Sequence, residues 1–165
     1  MRNKQKGFSL IELLIVVAII LIIAAIAIPN LIRSKMAANE ASAVASIRTV
    51  NTSEVVYSST YSVPNVFSAD LPSLGDGGNT ANCTPAKVPT STYACLIDPA
   101  LEVAVASTTP KSGYYFTYAQ GTGTYTVLAS PSALNSTGVR SFFSDQTVVI
   151  RANSGAAATN TSTPI

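Results

Sequence analysis

The sequence predicts an α+β fold: one long N-terminal helix, its first half able to cross a membrane, packed on a small antiparallel sheet. Three observations predict it. The run Leu13–Ile32 contains no charged residue, and helical periodicity continues beyond it to Tyr61. Two β-rich segments, Gly113–Tyr118 and Thr124–Ser130, flank Gly121-Thr122-Gly123, a hairpin signal. Between helix and sheet lies a stretch broken by proline at 64, 72, 85, 89, 99 and 110.

Composition narrows the function classes. At 165 residues the chain is one small domain plus its N-terminal segment. It has no His and two Cys, so no Ser-His-Asp or Cys-His nucleophile and no His or multi-Cys zinc site can be built. No catalytic, metal or cofactor-binding residue is expected, and the chain does not read as an enzyme. The formal charge is +2, but Arg2, Lys4 and Lys6 lie ahead of the apolar run. Without them seven basic side chains face eight acidic ones, too few for a general nucleic-acid surface.

Three readings compete for residues 1–32. A secretory signal peptide has the same charged start and apolar run, and Ala24-Ala25-Ile26-Ala27 could imitate a cleavage site. Glu12 would be unusual inside it. A plain membrane anchor needs about 20 apolar residues, and the basic start orients it N-in, C-out. The third reading uses more of the residues. Lys6-Gly7-Phe8-Ser9-Leu10-Ile11-Glu12-Leu13-Leu14 closely resembles the prepilin signature of type IV pilins and type II secretion pseudopilins.

That resemblance covers about Met1–Tyr61 and is only general beyond it. It implies a pilin-like fold, and cleavage between Gly7 and Phe8 by a membrane prepilin peptidase, with N-methylation of Phe8. Glu12 matches the family's acidic position and would set assembly register by meeting the Phe8 ammonium of an incoming copy. An unpaired acid in an apolar bundle costs several kcal/mol, which is what would drive that pairing. Pro29 matches the helix-distorting proline, and its missing donor implies a kink or a melted turn. Leu21-Ile22-Ile23 stands where many relatives carry glycine, so a smooth helix is expected up to Pro29.

After Pro29, residues Ile32, Met36, Ala43, Ile47, Val50, Tyr57 and Tyr61 form an apolar stripe expected to pack on the sheet. Glu54 falls on that stripe and does not fit it, so the sheet is expected to cover only part of it. The other side carries Ser34, Ala38, Ala41, Ala45, Thr52 and Ser59, suited either to close helix approach or to solvent. From Phe8 to Tyr61 the helix would run about 80 Å at 1.5 Å per residue. About a hundred residues cannot cover it, so lipid or other subunits must.

In the connection, Asp98-Pro99 reads as an N-cap and first turn. Asp76-Gly77-Gly78-Asn79 reads as a tight turn rather than a calcium loop. Cys83 and Cys95 are expected to form a disulfide in an exported domain. Ser141–Phe143 and Thr147–Arg151 supply one or two strands beyond the hairpin, giving three or four in all. Asn153–Ile165, rich in Ser, Thr, Ala and Asn, is expected to be a flexible tail. Asn-x-Ser/Thr patterns occur at Asn51, Asn82, Asn135 and Asn160.

The expected division is a leader over 1–7, a membrane-crossing or filament-core half-helix over 8–30, and an amphipathic half-helix over 31–61. A loop region follows over 62–112, then the sheet over 113–152 and the tail over 153–165. The resemblance implies a structural subunit that polymerises with copies of itself into a type IV pilus-like filament. Its partners would be the bacterial inner membrane, the prepilin peptidase and the assembly machinery. It would sit in that membrane before assembly, and in a surface pilus or periplasmic pseudopilus afterwards. A type II secretion pseudopilin is the alternative, although the chain lacks the Trp-containing segment usual in major pseudopilins. A non-polymerising anchored adhesin or DNA-binding module is a third class, and a membrane-bound hydrolase comes last.

Overall fold

The computed structural model describes residues 7–61 and 66–165. The leader residues Arg2, Lys4 and Lys6, and Pro64, lie outside the described residues. Helix α1 spans Leu10–Thr60 and is unbroken through Pro29, so the melted turn allowed for there is not present. The chain divides into two units, one up to Lys35 and one from Met36 to Ile165. In the first unit α1 exposes its apolar side chains, Leu10 through Ile28 among them.

The second unit is built on the remainder of α1. Short helices α2 (Leu71–Leu74) and α3 (Pro99–Glu102) each start at an aspartate followed by proline within the first two positions. Asp70 accepts from Ser73 N–H and Asp98 from Leu101 N–H, each satisfying one of the donors a helix start leaves free. The Asp98-Pro99 start is where the sequence put it.

Five antiparallel strands follow in the order β1-β2-β3-β4-β5: Tyr114–Gly121, Thr124–Pro131, Arg140–Asp145, Arg151–Ser154 and Thr163–Pro164. The β1–β2 hairpin pairs Gly121 with Thr124 across a two-residue turn, where Gly123 takes a φ of 69°. That left-handed conformation is cheap only for glycine. Period-two alternation turns Tyr114 and Phe116 of β1, Tyr125, Val127 and Ala129 of β2 and Phe142 of β3 into one core. Ala43, Ile47, Val50 and Tyr57 of α1 belong to the same core. The stripe is thus covered from Ala43 to Tyr57, whereas Ile32 stays exposed. The small residues Ser34, Ala38, Ala41, Ala45, Thr52 and Ser59 are all exposed.

Two segments differ from their sequence expectation. Thr147–Ile150 is not a strand. Asp145 accepts from Thr147 N–H and Val148 N–H bonds back to the Asp145 carbonyl, closing a turn with Val148 at a φ of 63°. The local aspartate bond outcompetes the β preference of Val148-Val149. The tail is not free either. Gly155 turns the chain with a φ of 77°, Ala158 is buried, and β5 pairs with β4 through Arg151↔Pro164 and Ala152↔Thr163. Ile165 N–H adds a bond to the Ile150 carbonyl. Backbone groups of an edge strand bind any extended chain, so a polar tail can order there without apolar side chains.

Candidate processing and assembly site

Gly7, Phe8 and Ser9 precede α1 without helical structure, and all three are exposed. Phe8 is 80% exposed. The peptide between Gly7 and Phe8 therefore lies outside the helical hydrogen-bond ladder. The helix starts where it does because Glu12 Oε2 accepts the Ser9 N–H at 3.0 Å. Ser9 is the N-cap and Glu12 the third helical residue, so this bond is one arm of a capping box. Ser9-x-x-Glu12 is a pattern visible in the sequence, and it was missed beside the family reading of the acid. The carboxylate also sits at the positive end of the helix dipole. Glu12 and Phe8 thus share one short segment, two residues either side of the start of α1.

Three further glutamates shape the second unit, and all work alike. Glu40 accepts from Val139 N–H at 3.0 Å and Arg140 N–H at 3.1 Å, and pairs with the Arg140 guanidinium at 2.8 Å. Burial pushes its pKa up, but the bonds from Val139 and Arg140 outweigh this and hold it below the usual range. Glu54, fully buried, accepts from Ser68 N–H at 3.0 Å, from the Ser68 hydroxyl, and from Tyr118 OH at 2.6 Å. The expectation that Glu54 lay beyond the cover of the sheet is therefore wrong. It is the polar centre of the covered stripe, with all its donors supplied from distant segments. Glu102 accepts from Asp76 N–H at 2.7 Å and from Gly78 N–H, with its pKa raised by burial and by the neighbouring Asp76. Glu54 and Glu102 fasten backbone outside the helices and strands, and Glu40 fastens Val139 and the first residue of β3, Arg140.

The 76–79 segment is the tight turn expected, with Gly77 and Gly78 at positive φ and Glu102 closing it. Cys83 and Cys95 are disulfide-bonded, their Cα atoms 5.6 Å apart. Of the four Asn-x-Ser/Thr asparagines, Asn51 is buried, donating to Ser144 and accepting from Tyr125 OH, while Asn135 and Asn160 are exposed. Among the described residues no group of three or more His, Cys, Asp or Glu is placed to hold a metal ion.

Residues 2–28 match the family model of the prokaryotic N-terminal methylation motif. Over 40 residues the chain is 62% identical to the type IV wide pilus major component PilA4 of Thermus thermophilus. The N-terminal segment therefore carries the methylation motif and is similar to the corresponding part of a type IV pilin. That similarity covers 24% of this chain and 30% of the relative, so the chain matches under a third of the relative's length. No solved structure matches the chain. Its α+β architecture, with a long apolar N-terminal helix, an antiparallel sheet and one disulfide, is consistent with a pilin fold.

Proposed function

We propose that the chain is a structural subunit, cleaved between Gly7 and Phe8, N-methylated at Phe8 and polymerised into a type IV pilus-like filament. The observation that carries this reading is the joint occurrence of the methylation motif over residues 2–28 and a single acid, Glu12, at the head of an exposed apolar helix. The relative's role as a pilus major component supports pilus over secretion pseudopilus.

The division of labour follows the chain. Residues 1–7 are a leader. Residues 8–30 anchor the subunit N-in, C-out in the inner membrane and then line the filament core, with Pro29 bending the helix. Residues 31–61 carry the sheet-bearing domain, whose 153–165 segment is part of the coat rather than a loose tail. The chain performs no catalysis; a prepilin peptidase and the assembly machinery act on it. Before assembly Glu12 is held by Ser9 N–H. Assembly register is set when Glu12 of a resident subunit takes the Phe8 ammonium of the incoming one, because a lone charge among apolar helices costs several kcal/mol.

The test is shearing of cells, with electron microscopy and N-terminal mass spectrometry of the sheared fraction. Filaments of subunits beginning at N-methyl-Phe8 are the expected result. Chains starting at Met1 and confined to the membrane would end the proposal, and a fibre retained in the periplasm would move it to the pseudopilus. Glu12→Val, at matched membrane levels, should remove most sheared filament; equal amounts would refute the register role.

A further inference from the structure

The apolar part of α1 ends abruptly. Leu13–Ile32 separates Glu12 from Arg33 by 20 uncharged residues. At 1.5 Å per residue that is about 30 Å, the thickness of a bilayer's hydrocarbon core. Arg33 and Lys35 follow at once, both exposed. Two residues apart, they point about 200° from one another around the helix, so they flank it rather than forming one patch. The salt bridges among the described residues, Lys111–Asp98 and Arg140–Glu40, involve neither, so neither meets a carboxylate there. Both acids farther along α1, Glu40 and Glu54, are buried. Beyond the apolar run, the solvent face of α1 thus carries only cations: Arg33, Lys35 and Arg48.

We propose that Arg33 and Lys35 form a collar that binds the phosphates of anionic phospholipid at the outer interface. The inference rests on the membrane-resident stage of the function proposed above. Their long stems lie along the end of the apolar helix while the charged heads reach the headgroup layer. Removal of the leader takes Arg2, Lys4 and Lys6 from the opposite end of the span. In the processed subunit the inner end keeps the Phe8 ammonium with Glu12 one turn away to offset it, so the collar holds the net positive charge and cleavage reverses which membrane face holds the chain more strongly. Each basic residue near an anionic surface contributes about fivefold, so the pair should give about 30-fold preference for anionic over zwitterionic lipid.

The experiment uses the full chain in nanodiscs with leader residues Arg2, Lys4 and Lys6 changed to Gln, so that the result does not depend on cleavage. Retention of phosphatidylglycerol against phosphatidylcholine is read by native mass spectrometry. The parent should show the preference, weakened by salt. Arg33→Gln/Lys35→Gln should bring it within about threefold of unity, and Arg33→Lys/Lys35→Arg should preserve it. Arg48→Gln should leave it unchanged. Undiminished selectivity in the Arg33→Gln/Lys35→Gln variant, or displacement of the lipid by free inorganic phosphate, would overturn the collar. Absence of N-methyl-Phe8 filaments would instead remove the proposed function and leave this lipid result standing.

Discussion

Replacing Glu54 tests how the second unit is held together. Its carboxylate is fully buried and accepts three bonds, two from Ser68 and one from Tyr118 OH. Glu54→Ala leaves these donors unequally provided for. The Tyr118 hydroxyl also lies 3.1 Å from the Ser68 carbonyl and can turn to it. Among the described residues the Ser68 N–H has no second acceptor, and a buried unsatisfied donor costs about 1–3 kcal/mol. The vacated side-chain volume adds a cavity cost, giving a total loss of about 3–4 kcal/mol. Glu54→Gln keeps one oxygen for the hydroxyls but sets an NH2 group against the Ser68 N–H, for about 2 kcal/mol. Tyr118→Phe removes a single donor and should cost about 1 kcal/mol. The assay is urea unfolding of the full chain in detergent micelles, followed by near-ultraviolet tyrosine dichroism. A double-mutant cycle between Glu54→Gln and Tyr118→Phe should show coupling of about 0.5–1 kcal/mol. If Glu54→Ala unfolds within about 0.5 kcal/mol of the parent, the carboxylate is not the clamp described.

Gly138→Ala should lower stability by about 3 kcal/mol in the same assay, because an added Cβ would meet the ring and hydroxyl of fully buried Tyr114. Reducing Cys83–Cys95 should cost about 3 kcal/mol while the sheet persists by circular dichroism. Residues 94–97 keep backbone bonds to Ser73, Leu74 and Gly75 without it. Glu40 is held below its ordinary pKa, so its contribution is complete above the unfolded value of about 4.3 and is lost as pH falls through the lowered folded value. Unfolding measured from about pH 6 to about pH 3 should therefore steepen less for Glu40→Gln than for the parent. Glu102 acts in the opposite sense: its raised value makes stability decline as pH rises from the unfolded to the folded pKa.

The long helix, the hairpin, the Asp98 cap and the 76–79 turn were legible in the sequence because each depends on near neighbours. Apolar spacing, a Gly at a positive-φ turn position and an aspartate ahead of proline act within a few residues. The Ser9–Glu12 bond was equally local and equally readable. Glu54 was not, because its partners Ser68 and Tyr118 lie 14 and 64 residues away. Thr147–Ile150 misled because a valine pair carries β preference, while one aspartate side chain decides the turn.

By itself the sequence determined the membrane-length helix, the N-terminal methylation motif and the class of fold, each encoded in spacing between near neighbours. Only the tertiary structure decided that Glu40, Glu54 and Glu102 are internal clamps, and that the polar tail closes the sheet. A buried carboxylate is tolerated only where distant donors converge on it, and an edge strand accepts whatever backbone reaches it. Neither condition is written in any local run of residues.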